Sequence, residues 1–103
     1  MTTGVLGQSN PTASTNTTVY TVPSSVSATF NVSIVNTGTS IAVVNLSVSA
    51  TSTPAASEYI EYGTVIPAGS VLERGGLVAQ TSTNVVVNCS TASCAVSVYG
   101  FEQ

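Results

Sequence analysis

Charged side chains are nearly absent from this sequence. Its 103 residues include no His, Lys or Asp, four Glu and one Arg, so only 5% of them are charged. General acid–base catalysis relies mostly on His, and a nucleophilic Ser needs a neighbouring base. Metal centres need His, Cys or clustered carboxylates. We therefore expect neither an enzyme nor a protein that carries a cofactor or metal.

The lack of basic side chains and of long apolar runs excludes two classes of partner. A single Arg cannot neutralise a track of phosphates, so we expect no nucleic-acid partner. No run approaches the ~18 apolar residues of a membrane-spanning helix, so we expect no membrane partner. Residues 1–8 lack the basic and apolar regions of a secretion signal, which predicts synthesis in a cytoplasm.

Apolar residues, by contrast, are abundant. They make up 43% of the chain, while the net charge is only −3. This length suits one small domain, and such a domain would expose an unusually apolar surface if it stayed alone. Because closed symmetry hides such a surface, we expect a homo-oligomer, with a trimer favoured.

Alternating apolar and polar residues predict β-strands along most of the chain, and no helical period is present. In residues 26–36, Phe30, Val32 and Ile34 share one face of a predicted strand. The other predicted strands cover 17–22, 41–50, 58–62, 71–74, 77–79, 84–89 and 94–101, and the apolar pair 65–66 precedes a predicted turn at 67–69. About seven or eight short strands predict an all-β antiparallel sandwich, with either a jelly-roll or an Ig-like topology.

Residues 1–16 are polar, rich in Gly, Ser, Thr and Asn, and interrupted by Pro11. This composition predicts an extended N-terminal arm rather than a core element, with the sandwich domain covering 17–103. Either the domain's own surface or a neighbouring subunit could order such an arm. We expect a neighbouring chain to do so.

Four apolar residues fall out of phase with the predicted core stripes. Ile41 and Val43 lie on the opposite face from Val44, and Tyr99 and Phe101 are offset in the same way from Val98. We interpret all four as candidates for a buried interface between subunits.

The carboxylates Glu58, Glu61 and Glu73 lie close in sequence to Arg74, which is the only cation. A paired-carboxylate or calcium site is one interpretation, and an ion pair within or between subunits is the favoured one. Because adjacent strand residues point to opposite faces, Glu61 or Glu58 is a better partner for Arg74 than Glu73.

Cys89 and Cys94 flank a four-residue loop in a predicted hairpin, on the same face as Val87, Val96 and Val98. A cross-strand disulfide is geometrically possible there. The favoured alternative, for a protein made in a cytoplasm, is two small buried thiols. A single Cys pair without further ligands does not make a zinc site.

Four tyrosines could stack on sugars or pack in the core and at interfaces. Because no Trp or Asp accompanies them, packing is the favoured interpretation. The four are Tyr20, Tyr59, Tyr62 and Tyr99.

Seven segments, in this order and spacing, resemble a family of short bacteriophage virion proteins. The segments are 5–11 (VLGQSNP), 19–23 (VYTVP), 31–36 (NVSIVN), 59–62 (YIEY), 66–69 (IPAG), 71–74 (VLER) and 98–102 (VYGFE). They extend over nearly the whole chain.

Similar proteins in tailed phages are small β-sandwich components of the capsid or tail. The resemblance implies a virion location and partners such as the major capsid protein, with no catalytic residues. Decoration or cementing of the capsid is the main expectation. A tail or neck appendage, or a module that binds host glycans on the virion surface, is the alternative.

Overall fold

The protein is described by a computed structural model that covers residues 2–103. Eight β-strands and one short 3-10 helix make up this part of the chain. The elements are β1 (Thr3–Ser9), β2 (Thr17–Thr21), β3 (Ala28–Asn36), β4 (Ala42–Ser49), η1 (Ala56–Glu58), β5 (Tyr59–Ile66), β6 (Val71–Ala79), β7 (Asn84–Cys89) and β8 (Cys94–Glu102). The predicted all-β sandwich is confirmed.

The strands form two four-stranded antiparallel sheets. The first sheet has the order β1-β8-β3-β6 and the second has the order β2-β7-β4-β5. Strands 1 to 4 therefore pair with strands 8, 7, 6 and 5, as if one long hairpin had been rolled into two layers. This is the jelly-roll topology, one of the two architectures that the sequence left open.

The core lies between the inner faces of the two sheets and follows the period-2 pattern of the strands. Phe30, Val32 and Ile34 on β3 are at most 1% exposed, as are Val85 and Val87 on β7. Burying each side chain of this size stabilises the fold by about 1.5–3 kcal/mol.

Two glycines mark irregularities within strands rather than strand ends. Gly63 in β5 and Gly76 in β6 have φ angles of 66° and 71°, which favour glycine. The pairing register of both strands shifts nearby, so each strand contains a bulge and continues beyond it. The sequence pattern predicts a strand that ends at residue 62 in place of β5, and two strands, 71–74 and 77–79, in place of β6.

The prediction of an N-terminal arm is wrong for residues 3–9. These residues form β1, which pairs with β8 of the same domain. Leu6 packs against the core cluster. The backbone ladder of an edge strand does not require apolar side chains, so a polar composition does not prevent this pairing. Residue 1 lies outside the described range.

The connection from β1 to β2 is also attached to its own domain. Pro11 is buried, and the backbone N–H of Ser14 donates to the carbonyl of Cys89 at 2.8 Å. The Asn88 amide donates to Oδ1 of Asn16 at 2.9 Å. The proposed division between an arm and a sandwich at residues 16 and 17 therefore does not describe this fold.

The predicted hairpin of the last two strands is also wrong, because β7 and β8 belong to different sheets. Residues 90–93 cross from the second sheet to the first. Cys89 and Cys94 both point into the core and are joined by a disulfide, with their Cα atoms 6.7 Å apart. The bond links the two sheets, and the favoured interpretation as free thiols does not describe the structure.

Candidate functional site

The outer face of the first sheet carries an apolar patch. Phe101 lies beside Thr29 on β3, which in turn lies beside Val78 on β6, and Tyr99 pairs with Val5 on β1. Phe101, Val78 and Val5 are 39%, 69% and 57% exposed. We call these four residues, Val5, Val78, Tyr99 and Phe101, the first-sheet patch.

The outer face of the second sheet carries a smaller apolar patch. Val43 pairs with Val65 on β5, and Ile41 immediately precedes β4. All three side chains are exposed, and Ile41 is 59% exposed. We call Ile41, Val43 and Val65 the second-sheet patch.

The two patches lie on opposite faces of the sandwich, so the predicted interface residues do not form one continuous seam. The structure leaves Ile41, Val43 and Phe101 exposed and Tyr99 partly exposed. Sequence reasoning missed Val5, Val65 and Val78. The sequence signal for them was that each falls out of phase with the buried residues of its strand. A glycine next to or near each of them interrupts the alternating pattern and obscures this signal.

Arg74 and Glu61 form an ion pair across one side of the sandwich. Arg74 lies on β6 at the edge of the first sheet, and Glu61 lies on β5 at the edge of the second. The Thr64 hydroxyl also donates to Oε1 of Glu61 at 2.6 Å. Hydrogen bonds from Thr64 and then from Arg74 lower the pKa of Glu61. This pair therefore joins the edges of the two sheets within a single chain.

The other two candidate carboxylates have different surroundings. Glu58 accepts from Ser49 Oγ at 2.9 Å, and from the backbone N–H groups of Ala55 at 2.8 Å and Ala50 at 3.1 Å. These bonds, led by that of Ala55, lower the pKa of Glu58 and fix the loop between β4 and η1. Glu73 is exposed and pairs in register with Ser33.

A buried carboxylate that sequence reasoning missed lies at the end of β8. Glu102 is 8% exposed and accepts hydrogen bonds from the Tyr20 hydroxyl and, at 3.0 Å, from the backbone N–H of Thr2. The bond from Tyr20 is the main reason that the pKa of Glu102 is lowered. Burial, followed by this bond, raises the pKa of Tyr20 well above its ordinary value. The sequence signal for its burial was that Glu102 lies four residues after Val98 and so falls on the same, buried face of the strand.

Two of the four tyrosines form a shallow pocket on the outside of the molecule. The rings of Tyr59 and Tyr62 meet edge to face, with their centroids 4.9 Å apart and their planes at 74°. With Ala56 they line a pocket of ≈350 Å³, which we call the tyrosine pocket. Tyr20 is buried and Tyr99 belongs to the other sheet, so the four do not form one platform.

Within residues 2–103, no group of three or more His, Cys, Asp or Glu side chains is arranged to hold a metal ion. The same residues contain no helix that is long and apolar enough to cross a membrane. Comparison of the chain with protein-family models, curated proteins and solved structures gives no match.

Proposed function

We propose that this chain is a structural protein of a bacteriophage virion, and specifically a capsid decoration or cement protein that acts through contacts between subunits. The observation that carries the proposal is the presence of an exposed, uncharged apolar patch on each outer face of the sandwich. Such patches on a small domain are typical of surfaces that bind other proteins.

The use of charge inside the subunit supports the same proposal. Arg74 and Glu61 pair with each other, Glu58 holds a loop, and Glu102 is buried against Tyr20. Of the five charged side chains, only Glu73 makes no side-chain hydrogen bond or ion pair within residues 2–103. A partner would therefore bind apolar groups, hydroxyls and amides, and such contacts depend little on salt.

The jelly-roll topology is compatible with this function, because viral capsid domains use it. Lectin domains use it too, so the support from the fold is an analogy, and the surface carries the proposal. The virion resemblance of the seven sequence segments adds to it. In the proposed arrangement, three subunits associate through one patch, and the other patch contacts a shell protein such as the major capsid protein.

The location is tested on purified particles. Mass spectrometry of gradient-purified virions, followed by cryo-electron microscopy, should find many copies of this chain on the capsid surface. Copies confined to the neck or tail would replace the capsid proposal with the appendage alternative. Absence of the chain from purified particles would overturn the proposal.

The oligomer is tested on the isolated protein by light scattering. The wild type should have three times the 10.3 kDa mass of one chain. Either Val43→Glu or Phe101→Glu should reduce this mass, which identifies the patch that joins the subunits. Gln80→Glu adds the same charge at an exposed position outside both patches and should leave the mass unchanged. A monomeric wild type would refute the proposed trimer.

A further inference from the structure

The tyrosine pocket presents an aromatic ring to solvent. Tyr62 is 73% exposed, whereas Tyr59 is half-buried and contacts it edge to face. Because the ring planes are at 74°, one ring forms a floor and the other forms a wall. A flat ring-shaped ligand could stack on one tyrosine and contact the other with its rim.

The backbone around the pocket is held in place on both sides. The backbone N–H of Gly63, the residue after Tyr62, donates to Oδ1 of Asn45 at 2.8 Å. On the other side, Glu58 binds the backbone N–H groups of Ala50 and Ala55 and so fixes the start of η1. Because this backbone is already ordered, little backbone conformational entropy is lost when a ligand binds the pocket.

The charges beside the pocket are already committed to the protein. Glu58 is held by three hydrogen bonds, and Glu61 is held by Arg74 and Thr64. The sequence has no other cationic side chain to meet an anionic ligand. The pocket therefore suits a neutral ligand that combines an apolar face with hydroxyl groups.

The two tyrosine hydroxyls provide polar partners for such a ligand. The hydroxyl of Tyr20 is used by Glu102, whereas those of Tyr59 and Tyr62 have no hydrogen-bond partner within residues 2–103. A tyrosine hydroxyl both donates and accepts. The pocket volume of ≈350 Å³ lies near the lower end of the range for small-molecule sites, about 300–1,000 Å³, which suits a single ring.

We propose that the tyrosine pocket binds one neutral pyranose ring, which stacks on Tyr62 and hydrogen-bonds to the tyrosine hydroxyls. This goes beyond the proposed structural function, because it assigns the domain a second surface that contacts a carbohydrate. On a virion that carbohydrate would be a neutral glycan of the host surface. The site is present in the isolated domain, so its test does not depend on where the chain is located.

The test is a titration of the isotope-labelled protein with glucose, galactose, mannose and N-acetylglucosamine, followed through its backbone amide resonances. At least one sugar should give saturable shifts centred on residues 56–63, with a Kd of the order of 1 mM, as expected for a site that contacts one small ring. Tyr62→Ala should raise this Kd at least about tenfold, or by ~1.4 kcal/mol. Tyr62→Phe keeps the ring face and removes one hydroxyl, so it should raise the Kd by less than Tyr62→Ala does.

Tyr99→Ala is the matched control, since it removes a partly exposed tyrosine from the first-sheet patch and should leave the sugar affinity unchanged. The amide spectrum of each variant shows whether the sandwich is intact. The proposal is overturned if none of the four sugars gives saturable shifts, or if Tyr62→Ala binds like the wild type. It is also overturned if tetramethylammonium shifts residues 56–63 and the sugars do not, since that result would indicate an aromatic cation site.

Discussion

The ion pair of Arg74 with Glu61 allows a quantitative test of how the two sheets are joined at one edge. We consider the paired substitutions Arg74→Met and Glu61→Gln, which remove the charges and keep most of the side-chain volume. The side chains are 39% and 19% exposed, so solvent screens the pair strongly. Exposed pairs contribute about 0.2–1 kcal/mol, and we expect a coupling free energy in the upper half of that range, about 0.5–1 kcal/mol.

Each single substitution should cost at least as much as this coupling. Glu61→Gln weakens the bond from the Thr64 hydroxyl, and Arg74→Met leaves a partly buried carboxylate without its cation. For a domain of this size, a coupling of about 0.5–1 kcal/mol corresponds to a change of about 2–8 °C in Tm. Urea unfolding followed by circular dichroism gives the four free energies of the double-mutant cycle.

Glu73 supplies the control for this cycle. It is adjacent to Arg74 in sequence but is exposed and points to the opposite face of β6. The cycle of Glu73→Gln with Arg74→Met should therefore give a coupling free energy close to zero. At 1 M salt, where the Debye length is about 3 Å, the coupling in the Glu61 cycle should decrease. Equal couplings in the two cycles, or none in the Glu61 cycle, would refute the proposed edge contact.

Three further predictions concern other parts of the fold. Reduction of the Cys89–Cys94 disulfide should lower the free energy of unfolding by about 2 kcal/mol, because the bond closes a loop with a sequence separation of 5. An unchanged Tm in protein with two verified free thiols would contradict this. The folded pKa of Glu102 is lowered and that of Tyr20 is raised. The stability that the hydrogen bond between these two side chains gives the fold is therefore fully present between about pH 4.3 and 10. This stability is lost as the pH falls through the folded pKa of the Glu102 carboxyl or rises through that of the Tyr20 phenol. In a plot of the free energy of unfolding against pH, Tyr20→Phe should therefore flatten both the acid and the alkaline limb. Gly100→Ala should lower the free energy of unfolding, measured in urea, by about 1–3 kcal/mol or more. The new methyl group would lie 2.1 Å from a backbone carbonyl oxygen of β3, which is too close. A variant as stable as the wild type would contradict this packing.

The sequence predicts the strands well wherever one face is buried. In β3, Phe30, Val32 and Ile34 alternate with residues of the other face, and all three are buried as the alternation predicts. The two faces of β3 differ strongly in polarity, because this strand lies inside the first sheet with a paired strand on each side. A position of this kind leaves a clear period-2 signal.

The arrangement of strands in sheets was harder to predict, as the last two strands show. The four residues between Cys89 and Cys94 are as suitable for a hairpin as for a crossing between sheets. Sequential strands usually pair with each other, which favoured the hairpin. The two inward-facing cysteines are compatible with both arrangements, so local pattern alone could not distinguish them.

The N-terminal strand was missed for a different physical reason. Gly4 and Gly7 remove side chains from β1, and only Leu6 packs against the core. Most of what holds this strand is the backbone ladder to β8 and the contact of Thr2 with Glu102. Neither interaction leaves a pattern of apolar side chains in the sequence.

The candidate site was predicted in part. Strand parity correctly separated Glu73 from Arg74 and gave Glu61 as a possible partner. It could not reveal that Glu58 is used by the backbone of a loop. Nor could it show that the burial of Glu102 is compensated by a hydroxyl from a distant strand, since that contact depends on the completed fold.

The irregularities of the two sheets indicate how the molecule can associate. The two ladders at the centre of the sheets, β3 with β8 and β4 with β7, are regular, whereas the ladders of all four edge strands contain register shifts. Bulges and charges on edge strands hinder pairing with another sheet, and here β5 and β6 also carry Glu61, Glu73 and Arg74. The outer faces, by contrast, expose apolar side chains with almost no charge. Because the edges oppose strand pairing and the faces favour apolar contact, we expect copies of the chain that associate to do so face to face.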